Sequence, residues 1–168
     1  MFRNVLVTVL LLLPFGVFAQ ESLKIAYVNS EEILMAMPET AAMRAELEKY
    51  SNQIDSELKI MEDELSKKYT AYMQQADTLA ESIKTHRMQD IQDLRQRAET
   101  YNQGAQQEFA KKRQDLFTPI QQKLLDAIKA VGEENGYTYV LEQGAFLYIS
   151  TTSATNATPL IKKKLGLQ

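Results

Sequence analysis

Residues 43–83 read MRAELEKYSNQIDSELKIMEDELSKKYTAYMQQADTLAESI, and their apolar positions decide the fold. Apolar side chains recur at Met43, Leu47, Tyr50, Ile54, Leu58, Met61, Leu65, Tyr69, Tyr72, Ala76, Leu79 and Ile83. The steps of three and four repeat with a period of eleven residues from Met43 through Ile54 and Leu65 to Ala76. Eleven residues in three turns is ~3.67 per turn, close to an unstrained helix, so the stripe hardly drifts. The spacing predicts a long, nearly straight helix. Residues 43–76 alone would span roughly 50 Å at ~1.5 Å each.

A second stripe follows at Met88, Ile91, Leu94, Ala98, Tyr101, Ala105, Phe109, Leu116 and Ile120, diluted by nine glutamines between Gln89 and Gln122. Two such stripes satisfy each other when the chain folds back, which predicts an antiparallel helical hairpin. The alternative is one continuous helix of about ninety residues, whose stripe only partner chains could cover. No Gly or Pro marks the tip. Thr78 and Glu81 have capping-box spacing, which places it between Ala76 and Arg87.

Outward from the hairpin the pattern changes. Lys24-Ile25-Ala26-Tyr27-Val28-Asn29 reads as a strand, Ser30 with Glu32 as a helix start, and Pro38 as the end or reset of that helix. On the returning side, Thr118-Pro119 predicts a break or kink, with Thr118 as cap and Pro119 at a first helical position. A root helix from Ile120 to Val131 then stops at Asn135-Gly136. Two strand-like runs follow, Tyr137 to Glu142 and Ala145 to Ser150, joined by Gln143-Gly144. A short helix beginning at Thr158-Pro159 closes the chain. The expected fold class is α+β, predominantly α, with a long hairpin arm projecting from a small sheet. Residues 39–115 form the arm, and residues 20–38 and 116–168 the body. Tyr137, Tyr139 and Leu141 oppose Val140, and Phe146 and Tyr148 oppose Leu147 and Ile149. Strands apolar on both faces must be covered on both, so the body should be completed by further copies of the chain.

Composition narrows the function. Nineteen Lys and Arg against twenty-two Asp and Glu provide no basic field for nucleic acid. The absence of cysteine removes disulfides, thiolate metal sites and cysteine nucleophiles. A single histidine, His86, without companions at ligand spacing reads as a surface residue. Glu62-Asp63-Glu64 are consecutive on a helix and point apart, so they do not converge on a metal ion. No Gly-rich phosphate loop or serine elbow is present. Lys162-Lys163-Lys164 sits at a helix C-terminus, where positive charge favours the macrodipole. No enzyme activity, metal or cofactor is expected.

The first residues read as an export signal. Arg3 precedes an apolar run from Val5 to Leu13, and Val17 and Ala19 occupy the small-residue positions before a cut after Ala19. The run is short for a membrane span, which needs ~20 residues. Nothing later is apolar for long enough, so an exported, soluble protein without stable membrane insertion is expected. Removing the signal leaves 18 − 22 = −4.

The order of these features, from the strand at Lys24 through the hairpin to Tyr139-Val140, Tyr148-Ile149-Ser150 and the lysine-rich last helix, resembles the Skp/OmpH family of periplasmic chaperones. The resemblance implies a homotrimer in the periplasm with a small β-barrel body. Three helical arms would enclose a cavity for unfolded outer-membrane proteins. Ile25, Tyr27, Val28, Tyr139, Leu141, Phe146 and Tyr148 would then build the trimer body. The family's best-known members are strongly basic, and this chain is acidic.

Within the arm, Met43, Met61, Tyr69, Tyr72, Met73, Tyr101 and Phe109 are candidates for client contact. Methionine repacks against varied partners, as a promiscuous surface requires. Most of these positions also fit the seam between the helices. Pro119 is the candidate hinge. The expected function is an ATP-independent holdase. The alternative is a structural coiled-coil adaptor or spacer of the cell envelope.

Overall fold

A short strand from one end of the chain organises the body. The computed structural model describes residues 23–167; the export segment assigned to residues 1–19 lies outside the described residues. Strand β1 (Ile25–Val28) buries Ala26 and Val28 on one face and leaves Ile25 and Tyr27 half-buried on the other. Asn29 ends the strand and caps α1 (Ser30–Ala36), its side-chain oxygen accepting the Glu32 N–H at 2.9 Å. Glu31 and Glu32 place negative charge in that first turn, where the helix dipole favours it. Met37 is extended, as a residue before proline prefers, and its side chain is buried. Pro38 then opens α2 (Pro38–Gln75) at a position where the missing N–H costs nothing.

The arm is the expected antiparallel hairpin. Helix α2 runs for 38 residues, about 57 Å at 1.5 Å per residue, and α3 (Glu81–Asn135) returns along it for 55. Their junction differs from the expected capping box. Ala80 occupies the N-cap of α3 and makes no side-chain capping bond. Thr78 instead finishes α2, donating both its N–H and its hydroxyl to the Gln75 carbonyl at 3.0 Å. That carbonyl is one of those a helix C-terminus leaves without partners, and it draws Thr78 backwards.

The returning helix also departs from expectation at Thr118-Pro119. Helix α3 is continuous through Pro119, and no new helix starts there. Thr118 is mid-helix, its hydroxyl donating to the Gln114 carbonyl at 2.8 Å and accepting from the Gln114 side-chain amide at 3.0 Å. An internal proline costs ~3 kcal/mol. Leu116 on the preceding turn is half-buried in the seam, and Ile120 and Leu124 on the following turns are buried in the core, so packing on both sides carries the helix past the defect. Gly136 terminates α3 in the left-handed region at φ 64°, and the Tyr137 N–H closes the last turn on the Gly132 carbonyl at 2.9 Å.

The sheet holds the main difference from the sequence reading. Strand β2 (Tyr139–Glu142) is followed by a single 3-10 turn (Gln143–Ala145), and β3 is Ala154–Asn156. The expected strand from Ala145 to Ser150 is absent. All pairing is parallel in the order β2-β1-β3, with Ile25 opposite Tyr139 on one side and Ala154 on the other. With β1 central, the chain leaving β2 must cross the sheet to reach the far edge of β1, and a tight hairpin cannot do this. Phe146 to Ser150 is therefore part of the crossover, without a strand partner among the described residues.

Helix α4 (Thr158–Lys164) seals the inner face. Thr158 does not cap it. Its hydroxyl accepts the Asn29 N–H at 3.0 Å, while the Asn156 side chain accepts the Thr158 N–H at 3.0 Å. Ala26, Val28, Ile33, Met37, Ile120, Leu124, Val131 and Ile161 form one core beneath the sheet. Two of the three terminal lysines also tie α4 down, Lys162 to Glu32 at 2.5 Å and Lys164 to Glu134. Glu39, at the start of α2, pairs with Lys123 on α3 and joins arm to root.

Two outcomes follow from these elements. An alanine methyl at Gly104, inside α3, would meet no atom within 4 Å, and the backbone there has no positive φ. Gly104→Ala is expected to stabilise the arm by about 0.5–1 kcal/mol, read as a raised thermal midpoint. The Lys123 hydrogen bond holds the Glu39 carboxyl below its ordinary value of 4.5. A depressed carboxylate contributes stability that is complete above its unfolded pKa and vanishes as pH falls through the folded one. Glu39→Gln should therefore cost about 0.5 kcal/mol or less near pH 7, because the pair is part-exposed, and progressively less as the pH is lowered into the acid range and the carboxylate is protonated. Thermal melts of both proteins across that range test it; a gap that widens in acid contradicts the assignment.

Candidate functional site

Of the groups singled out by sequence, those on the arm fall into two classes. Along α2 the stripe positions Met43, Leu47, Tyr50, Ile54, Leu58, Met61, Leu65 and Tyr72 are all half-buried, and only Tyr69 among them is exposed. Facing them on α3, Ile91, Leu94 and Ala105 are buried, while Ala98, Tyr101, Phe109 and Leu116 are half-buried. This is a seam between two helices with open flanks. Tyr72 lies in it. Met43 packs against the core of the root. Met61 and Tyr101 line one long shallow groove of about 970 Å3 together with polar residues of α2 such as Asn52 and Gln53.

Tyr69 and Met73 differ, being 49% and 57% exposed. Tyr69 borders a recess of about 320 Å3 with Leu65, Ile91 and Arg95. An apolar rim beside the seam and a guanidinium at its edge suit a chain segment of mixed character. Pro119 borders a more apolar recess of about 520 Å3 with Met43, Leu116 and Ile120, rimmed by Glu39 and Lys123. The candidates are thus spread along the arm and do not converge on one point.

A tight cluster forms around Tyr50, where the two helices are stapled. Its ring stacks on Phe109 with centroids 6.4 Å apart and planes 13° from parallel. Its hydroxyl donates to the Glu108 carboxylate at 2.8 Å. Lys112 sits 5.3 Å from the ring centroid and 2.9 Å from the Glu46 carboxylate. The hydrogen bond to Glu108, with desolvation and the nearby negative charge, raises the Tyr50 hydroxyl above its ordinary value. The Lys112 hydrogen bond and charge lower the Glu46 carboxyl. Both shifts favour the states that make the staple at neutral pH. Phe109 is therefore a structural member of the seam.

Exposed apolar residues that sequence reasoning did not single out include Ile60 and Leu125 on the arm and root, and Leu23 and Met35 in the body. Ile60 is out of phase with the eleven-residue stripe, and that mismatch was the available signal. Leu125 lies beside the buried Leu124 in the root helix, yet is 51% exposed. His86 lies on the surface near the tip, 3.4 Å from the Asp90 carboxylate. Among the described residues no group of three His, Cys, Asp or Glu side chains could hold a metal ion, and no helix is long and apolar enough to cross a membrane.

The body presents a second surface. Ile25, Tyr27, Tyr139 and Leu141 share the outer face of the sheet by register, and among the described residues no helix lies over them as α3 and α4 lie over the inner face. Tyr139 is 55% exposed. Val28 differs, for it points into the chain's own core. Phe146, Leu147 and Tyr148 are exposed in the crossover, outside the sheet, with Tyr148 at 82%.

Known proteins share this arrangement. The solved structure of an OmpH-like chain from Caulobacter crescentus CB15, described as an outer membrane chaperone, superposes with a TM-score of 0.74 at 17% identity, over 85% of this chain and 83% of that one. The chain is 29% identical to the chaperone protein Skp of Photorhabdus laumondii over 153 residues, covering 91% of this chain and 92% of the relative. It is 26% identical to Skp of Pectobacterium atrosepticum, over 92% and 93%. A family model described as outer membrane protein (OmpH-like) matches residues 24–165, from the first residue before β1 to just beyond α4. The chain therefore belongs to the OmpH-like outer membrane protein family.

Proposed function

We propose that this protein is an ATP-independent holdase of the periplasm, which keeps unfolded outer-membrane proteins from aggregating between the helical arms of an oligomer. The observation that carries the reading is the unsealed seam. Every stripe position of α2 from Met43 to Tyr72 keeps part of its surface open to solvent, and Tyr69 and Met73 stand exposed beside it. An arm built this way offers many weak apolar contacts along about 57 Å of α2, which gives affinity without sequence specificity. The relatives named as Skp chaperones support the same reading. Binding of this kind needs no catalytic group or nucleotide, so release falls to the client's own folding or handover.

The oligomer is part of the proposal. The outer sheet face and Phe146 to Tyr148 form an apolar surface on a body whose other side is already covered, and further copies of the chain are its natural cover. Three copies is the number that the family resemblance implies. Tyr139 and Leu147 are exposed in the single chain, so Tyr139→Asp and Leu147→Asp should leave each subunit folded and break the assembly. Sedimentation and circular dichroism should show monomers of unchanged helicity. A folded wild-type monomer at micromolar concentration would defeat the oligomer.

Long-range electrostatics contributes little to capture by this arm. Between Thr40 and Asp115 twelve Lys and Arg face fourteen Asp and Glu, a net of 12 − 14 = −2. With the signs interleaved, the field beyond a Debye length of about 8 Å is small. Capture should rest on apolar burial, at roughly 25 cal/mol per Å2, which salt does not weaken. The test is dilution of a urea-denatured outer-membrane β-barrel into the purified protein without ATP. Light scattering should stay low, and client affinity should change less than about threefold between low and high sodium chloride. Aggregation undiminished by the protein would overturn the function, and a salt loss of tenfold or more would overturn its apolar basis.

A further inference from the structure

Helix α3 carries a second stripe, on the side away from its seam. It runs in steps of four and three from Gln89 to Leu125, and all of its positions are exposed. Six of its positions are glutamine and two are threonine; only Asp93 and Lys111 carry charge. The face of α2 turned from the seam is mixed, with Lys49, Asp63 and Lys67 among Asn52, Ser56, Ile60 and Thr70. Glutamine is no better a helix former than Lys, Glu or Arg, so helix propensity does not explain this preference.

From this stripe we infer that the outer face of α3 is the surface on which the extended backbone of an unfolded client is held, through side-chain amides. This rests on the holdase reading and names what that surface recognises. Glutamine carries the same amide group as the peptide bond, donor and acceptor together, so it pairs with backbone whatever side chains the client brings. A near-neutral stripe repels clients of neither sign, which a charged face cannot achieve. Three of the six amides are also already oriented. Gln96 donates to Thr100 at 3.5 Å, Gln114 to Thr118 at 3.0 Å, and Gln89 to Asp93 at 2.8 Å. Each such bond uses one N–H and leaves the other N–H and the carbonyl for a partner, with part of the side-chain entropy already spent. Gly104 borders the middle of the stripe, with open space where a Cβ would stand. A helix-interior glycine destabilises, and among the described residues nothing outside its own turn comes within 4 Å of where its Cβ would stand. Bare backbone beside Thr100 and Gln107 lets a second chain approach closely. At its root end the stripe terminates in the exposed Leu125, an apolar foothold for client side chains.

The test uses the full chain and a fluorescently labelled, urea-denatured outer-membrane β-barrel diluted to low urea, with affinity read by anisotropy. Replacing Gln96, Gln103, Gln107 and Gln114 together by alanine keeps the stripe neutral and helix-favouring while removing the amides. Affinity should fall about tenfold, as a few net hydrogen bonds would give. Replacing the same four by glutamate should weaken it at least as much. Two glutamates on the outer face of α2, at Thr70 and Gln74, away from the groove of Met61 and Tyr101, should change it less than about twofold. Unchanged or tighter binding by the alanine variant overturns the inference, as does an equal loss from the α2 set. A change of oligomeric state confined to the α3 variants also overturns it, because the stripe would then bind a second copy. Wild-type protein that binds no client at all is a different failure, that of the holdase reading itself.

Discussion

The structure depends on the pairing of β1 with two strands more than a hundred residues away. Ile25 to Val28 lie between Tyr139–Glu142 and Ala154–Asn156, so the two ends of the described chain are tied into one sheet. Closing so long a loop carries an entropic cost of about 4 kcal/mol beyond a constant. The core beneath the sheet offsets it, since Ala26, Ile33, Ala157 and Ile161 are wholly removed from solvent. Once the ends are joined, everything between them must go out and come back. The hairpin arm is how a chain of strong helical periodicity satisfies that condition.

Arm and body are built on opposite principles. The body concentrates its apolar groups in a single core and ties its last helix down with Lys162–Glu32 and Lys164–Glu134. The arm spreads its apolar groups in a line. Two helices can bury only one strip of each, so the seam stays partly open to solvent and depends on local devices such as the Tyr50 staple. Regions with few buried contacts open locally at low free-energy cost. A surface that must accept clients of differing shape draws on that softness, while the core keeps the root in place. The recess between Pro119 and Met43 lies where the two regimes meet.

The single chain leaves two kinds of surface uncovered, and they ask for different partners. The outer sheet face and the crossover at Phe146 to Tyr148 are apolar and attached to the rigid body, which suits a fixed partner of matching shape. The outer face of α3 is long, exposed and nearly neutral, which suits a partner without fixed shape. The core positions of the body and the amides of the arm thus serve separate tasks on one continuous helix, since α3 reaches from the tip to Asn135.

Much of this was legible in the residues. The eleven-residue stripe determined the helix and the positions that became the seam, because a helix must bury one face and leave the other to water. Pro38 and Gly136 marked boundaries through backbone chemistry that needs no tertiary context. The alternation at Tyr139 and Leu141 also showed a strand apolar on both sides. Other features were decided only in three dimensions. Pro119 sits inside a helix because the core around Ile120 and Leu124 outweighs its cost, and no local pattern records that balance. The alternation at Phe146 to Ile149 promised a strand, yet the weaker run Ala154–Asn156 pairs with β1, because only a chain that has crossed the sheet can reach the free edge. The staple at Tyr50 depends on hairpin register, which a difference of one residue at the tip would shift. Sequence determines what each segment prefers; which partner it meets is decided by the geometry of closing the chain upon itself.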